Sequence, residues 1–398
     1  MNVKNILLLL ILFVFSCSNS QKEFSLTGAD YIIDLDGKKE ESIPLSTYFK
    51  TARTIILETN KDCLIGHING LQAFDGCIYV HDMLDANSLF VFDMNGRFIR
   101  KIGNKGKGPG EYMRVSDFTL DTENKFIFLL DYEQRVHKYH LDGTYINTIT
   151  PKMQHTNAFS IQYYRNKLYL SVKAFDPTPD DYMLLEVNPD DGTILSESLP
   201  VKDNKGWTRS SFSDRSSFIS RSSDPPLYTQ LFMDCIVTIG AEIKPYIELK
   251  SQNLTTFNDL ENLPYDRDDP MKFFNALRNF SKIYFLKNYM ESNDFIIFSY
   301  SNGSMDNRTA IYHKKTGSVK VIKKFHNDLI FGKDNNVLFG MSIFSDTKGA
   351  YEIIQQSTIE TIQELIRNEE APPRLDKVDE FMKLNEESNP VILYYEFK

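Results

Sequence analysis

Three arginines set among serines hold the most suggestive chemistry in this sequence. The stretch RSSFSDRSSFISRSSDPP runs from Arg209 to Pro226 and spaces Arg209, Arg215 and Arg221 evenly. Planar guanidinium forks flanked by hydroxyls suit a carboxylate, a phosphate or a sugar acid. Trp207, the one tryptophan of the chain, lies just upstream and could stack on a sugar ring. A plainer reading also fits: a long solvated connection leading into a strand with alternate polar residues, and a tryptophan used for packing. Long connections are nonetheless where rigid scaffolds keep their functional groups.

A second candidate is GNKGKGPGEY at residues 103–112. Glycine-rich loops cradle phosphates when their amides converge ahead of a helix. Here Gly106-Lys107 is followed by Gly108 instead of Ser or Thr, and Gly106, Gly108 and Gly110 form G-x-G-x-G ahead of a strand-like run. Neither nucleotide pattern is met. Gly106, Gly108, Pro109 and Gly110 therefore read as a turn-rich connection between strands.

The remaining groups are scattered. Asp82 and Asp131 end equivalent apolar runs; they read as turn caps first and as rim carboxylates for a cation second. Seven histidines include no H-E-x-x-H, and His137 and His140 would face opposite sides of a strand. No G-x-S-x-G elbow occurs. Cys63, Cys77 and Cys235 are too widely spaced for a zinc pattern and odd in number, so they read as small buried side chains. The acidic runs at 176–181 and 266–269 match no EF-hand spacing.

The elements that must position these groups are strands. Aromatics make up 13% of the 398 residues, which favours pleated surfaces. The net charge of −9 argues against nucleic acid as a partner. Residues 75–103 and 123–149 share one plan: apolar run, Asp, polar turn, alternating run, then Asn95-Gly96 or Asp142-Gly143, then another alternating run. Such dipeptides between alternating runs are strong hairpin signals. The plan recurs around Asp191-Gly192, at 233–250, at 293–325 with Thr316-Gly317, and from Asn335. Units of this size suit four-stranded propeller blades. Helical spacing with caps interrupts the pattern near 269–280 and within 357–387. The terminal run NPVILYYEFK needs a partner sheet, and the N-terminal runs YIIDLD and ARTIILET are expected to complete that last blade and close the ring.

The N terminus is a separate object. Residues Ile6–Phe15 form an apolar run of signal-peptide length, too short to cross a bilayer, which needs about 20 apolar residues. Ser16-Cys17 follows directly and resembles the bacterial lipobox. The expected division is a signal peptide at 1–16, lipid on Cys17, a polar tether at 17–23 and one domain at 24–398.

GNKGKGPGEYMRVSDFTLD with IYVHD and FVFDMNGRFIRKIG is similar to the NHL-type propeller repeat. More narrowly, residues 52–82, the GKGPGEY loop and the terminal NPVILYYEFK resemble the six-bladed β-propeller lipoproteins of Bacteroidota. That resemblance implies an all-β, six-bladed fold of four-stranded antiparallel blades and export to the cell envelope, at the outer membrane, with the facing side open. It implies no reaction. The expected role is a non-catalytic binding or scaffold module with a glycan, peptide or envelope-protein partner and no resident cofactor. The alternative is a metal-dependent hydrolase or lyase holding a divalent cation in the channel.

Overall fold

The computed structural model describes residues 28–204, 206–209, 215–264, 269–302, 307–331, 339–340, 342–368 and 374–398. The signal segment, Cys17 and the tether lie outside the described residues, as does the side chain of Arg209.

Hairpin chemistry builds the blades. Gly96, Gly143 and Gly192 adopt φ of 91°, 89° and 74°, as the Asn-Gly and Asp-Gly turns require. Asp93 Oδ1 accepts from the amides of Asn95 and Arg97 and closes the first of these turns. The hairpins join four-stranded antiparallel sheets in simple sequence order. Blade 1 comprises Gly70–Phe74, Cys77–Asp82, Ser88–Asp93 and Phe98–Ile102; blade 2 comprises Val115–Asp121, Phe126–Asp131, Val136–His140 and Tyr145–Ile149. Blade 3 follows with Thr156–Tyr164, Lys167–Ala174, Tyr182–Val187 and Ile194–Pro200. Blade 5 holds Ile283–Glu291, Phe295–Asn302, Asn307–His313 and Ser318–His326. The expected six-bladed propeller is the observed fold.

Closure differs from expectation in one respect. Phe49–Ile56, which contains ARTII, does complete blade 6 beside Ile343–Ser345, Gly349–Ile354 and Val391–Phe397. Tyr31–Asp34 does not join it. That strand pairs in parallel with Lys244–Lys250 of blade 4, and Lys38–Pro44 pairs in parallel with Ser318–His326 of blade 5. The N-terminal segment is thus a belt along the outer edges of three successive blades. The physical reason is that an open outer edge accepts any strand with a suitable apolar side chain. Ile33 supplies one, fully buried among Ile247 and Leu249, and Ile43 supplies another.

Because each blade is a meander that starts at the axis, the turns sort onto two faces. The first and third turns of blades 1, 2, 3 and 5 share the lower face and are short, as is the first turn of blade 6, whose last two strands come from opposite ends of the chain. The second turns and the connections between blades share the upper face and carry the insertions. Helices α1 (Phe257–Glu261) and α2 (Pro270–Arg278) lie between blades 4 and 5; α3 (Gln356–Arg367) and α4 (Val378–Phe381) lie inside blade 6. Asp269 caps α2 through the Lys272 amide, with Pro270 in its first turn. Helix α1, with its Thr256–Asp259 capping box, was not expected from the sequence. Among the described residues no helix is long and apolar enough to cross a membrane.

Candidate functional site

The arginine–serine segment lines the channel. Ser220 bridges Leu227 in antiparallel fashion, and the Thr229 amide donates to Ser217 O. Residues 217–220 therefore supply the inner edge of blade 4, inside Leu227–Tyr228, Cys235–Thr238 and Lys244–Lys250. The segment descends from Arg215 at the upper mouth to Asp224 at the lower face. There the Tyr164 hydroxyl donates to Asp224 Oδ1 at 2.5 Å.

Arg221 is committed to structure. Its Nη2 donates to Asp117 Oδ2 at 2.6 Å, and its Nη1 donates to Ile161 O at 2.6 Å and Phe118 O at 3.0 Å. The same Asp117 oxygen accepts from Ser160 Oγ at 2.7 Å and from the Ile161 amide at 2.8 Å. One guanidinium thereby ties the inner edge of blade 4 to blades 2 and 3. Beside this cluster, His81 is buried against Val115 O, and desolvation holds its pKa below the ordinary value.

Arg215 is placed differently. It is exposed at the upper mouth, where among the described residues its Nη1 meets Met83 Sδ, a weak acceptor, at 3.1 Å. Desolvation lowers its pKa, and the like charge of Arg114 acts in the same direction; Asp117 opposes both. Arg114 itself is exposed and stacks over the Tyr132 ring at 5.0 Å. Lys287, on the inner strand of blade 5, also faces the channel, and desolvation lowers its pKa. Among the described residues none of these three cations has a carboxylate in ion-pair contact.

The channel encloses about 930 Å³ and is lined from all six blades. Half-buried Phe74, Tyr164, Phe285 and Phe344 contribute ring surface to its wall. A second hollow of about 520 Å³ opens on the lower face between blades 4, 5 and 6. Its carboxylate Glu291 is fully engaged by Tyr246 Oη at 2.5 Å, Tyr289 Oη at 2.5 Å and Lys314 Nζ at 2.6 Å.

The other candidate residues sit apart from the channel axis. Trp207 is 1% exposed, packs on Phe159, and lies 3.8 Å under Lys173 Nζ, so it offers no ring face to a ligand. Asp82 accepts from the amides of Gly66, Leu84 and Asp85. Asp131 binds Arg135 and His137, and His137 Nδ1 in turn meets Thr148 Oγ1 at 2.8 Å. This hydroxyl–imidazole–carboxylate chain is sealed inside blade 2, with His137 only 1% exposed. In the glycine loop, Glu111 Oε2 occupies the Gly108 amide at 2.8 Å, and Tyr139 Oη donates to Gly110 O. The loop amide that a phosphate would need is taken by its own chain. Among the described residues, no three His, Cys, Asp or Glu side chains converge as a metal site would require.

Sequence reasoning missed Asp117, Arg114 and Lys287. Each sits on or beside an inner strand, where polarity is visible, but only the closed ring shows that the strand faces a channel.

A family model described as Domain of unknown function (DUF4934) matches residues 30–396. No curated protein matches the chain. The crystal structure of a candidate exported protein from Bacteroides fragilis is similar, with 18% identity, a TM-score of 0.72, and coverage of 92% of this chain and 99% of that one. A member of the DUF4221 family from Bacteroides vulgatus is 11% identical, with a TM-score of 0.49 and coverage of 88% and 97%.

Proposed function

The chain belongs to the DUF4934 family, and from that premise we propose an exported, lipid-anchored binding module. It takes its ligand at the upper mouth of the propeller channel and releases it unchanged. The observation that carries this reading is the asymmetry of the two faces. Among the described residues, the large apolar side chains left exposed on the faces are Leu64, Leu84, Tyr132, Phe175, Phe257 and Met271, and all six belong to upper-face turns and connections. The other exposed large apolar residues, Ile32, Ile99, Ile146 and Leu195, lie on outermost strands. Exposed apolar side chains concentrated on one face mark that face as the one suited to interaction. Export and anchoring are supported by the apolar run Ile6–Phe15 ahead of Cys17 and by the likeness to an exported protein. On this reading, Cys17 carries the lipid at the outer membrane.

The test is a thermal-midpoint screen against neutral and acidic oligosaccharides and against peptides, with each hit recovered and weighed by mass spectrometry. A raised midpoint with an intact ligand supports the module, since a ligand that binds only the folded state raises its stability. A ligand recovered cleaved or modified overturns it, and so does silence across the screen. Loss of fatty-acid labelling in Cys17→Ala tests the anchor; persistent labelling contradicts it.

A further inference from the structure

We propose that Arg215, flanked by Arg114 and backed by Lys287 deeper in the channel, is an oxyanion subsite for an acidic saccharide. The inference rests on the binding-module reading and names its ligand class.

The whole chain is acidic, at −9, yet among the described residues the upper mouth presents two neighbouring guanidinium groups without a bound carboxylate. Asp117 acts on Arg215 through its charge without ion-pair contact, and its Oδ2 is taken by Arg221, Ser160 and the Ile161 amide. Arg215 settles for a thioether, and Arg114 for the Tyr132 ring. Two like charges close enough to act on each other are unfavourable alone, and a bound carboxylate or sulfate removes that cost. Arginine forks match the planar geometry of such groups. Lys287 adds a cation below Arg215, in a channel whose lower lining also carries Asp75, Asp121, Glu123, Asp224 and Asp346.

The walls select a sugar over a bare ion. Phe285 and Phe344 offer half-buried ring surface and Ser216 lines the same cavity beside Arg215, while Ser222 and Ser223 stand at its lower end with their hydroxyls donating to Ser345 O and Ser220 O. Rings stack on the apolar faces of pyranoses, while hydroxyls exchange hydrogen bonds with theirs. A volume of about 930 Å³ holds several sugar units.

Calorimetric titration with trigalacturonate, and with its methyl-esterified, uncharged counterpart, tests this on the purified chain. The acid form is expected to bind and the ester to bind far more weakly. Arg215→Gln is expected to cost roughly tenfold or more in affinity, and Arg114→Gln and Lys287→Met less. Both arginines are exposed, so unchanged thermal midpoints will show the variants folded. Equal binding of acid and ester, or unchanged affinity in Arg215→Gln, overturns the subsite. An acidic peptide that binds more tightly than trigalacturonate through Arg215 overturns the saccharide assignment. If neutral sugars or peptides bind and acids do not, this inference falls while the binding module stands. If nothing binds, both fall.

Discussion

Arg221 Nη2 lies 2.6 Å from Asp117 Oδ2, joining the innermost segment of blade 4 to the innermost strand of blade 2 across the channel. The pair is mostly buried, with 17% and 9% of the two side chains exposed. It fixes a serine-rich segment that has little apolar content to hold itself in place, and so fixes where Arg215 stands.

Removing one partner strands the other charge. Asp117→Ala is expected to lose roughly 3 kcal/mol of stability, read from urea unfolding. Arg221→Lys keeps the charge but cannot reach Asp117, Phe118 O and Ile161 O together, so a smaller loss is expected. An Asp117→Ala variant as stable as the parent would show that the pair does not hold the channel.

Acidity acts on two buried carboxyls in opposite directions. Burial pushes the Glu352 carboxyl up from 4.5 to about 7, against hydrogen bonds from the Gly340 amide and Tyr395 Oη. Its folded value exceeds its unfolded one, so stability is full below about 4.5 and falls as pH rises toward 7. The loss is on the order of 3 kcal/mol. Glu352→Gln is expected to flatten that slope. Desolvation raises Asp131, but hydrogen bonds from His137 and Arg135 outweigh it and hold the carboxyl below the ordinary 3.8. Its contribution is present above 3.8 and is lost as pH falls further. Asp131→Asn is expected to remove the acid limb alone. Unfolding free energies measured across pH check both, and parallel curves for Glu352→Gln and the parent would contradict the first.

Two glycines of similar backbone separate strain from collision. Gly110 has φ 71°, and a Cβ there would meet the Tyr145 ring at 2.6 Å; Gly76 has φ 74° and nothing within 4 Å. Gly76→Ala is expected to cost roughly 1 kcal/mol for left-handed backbone. Gly110→Ala adds about 1–3 kcal/mol for overpacking. Equal losses in thermal unfolding would mean that the loop yields freely around Tyr145.

The N-terminal belt makes a further demand. Ile33→Ala is expected to cost roughly 2–4 kcal/mol, because the side chain is fully buried against blade 4. A neutral result in denaturant unfolding would mean that the belt does not pack on that edge.

Local rules made most of the fold legible. Asn95-Gly96, Asp142-Gly143 and Asp191-Gly192 each announce a turn that needs positive φ, and their recurrence sets the blade period. Asp269-Pro270 likewise announces a helix start. The belt was illegible because Tyr31–Asp34 chooses its parallel partner some 200 residues away by edge availability alone, with no turn to fix the pairing. The strand that forms the inner edge of blade 4 was readable from its alternate polar residues, but its place on the channel was not, because its anchor Asp117 lies 104 residues from Arg221. Of the site, Arg215 stood out by its residue type. Lys287 did not, because a lysine on a strand looks like any solvated lysine until the ring closes around it.

The most direct measurement is amide hydrogen exchange of the chain with and without trigalacturonate. The account predicts slowed exchange on the upper face, in residues 82–87, 132–135 and 215–219, with the lower turns at 239–243 and 292–294 unchanged. Protection confined to those lower turns, beside Glu291 and Lys314, would contradict it.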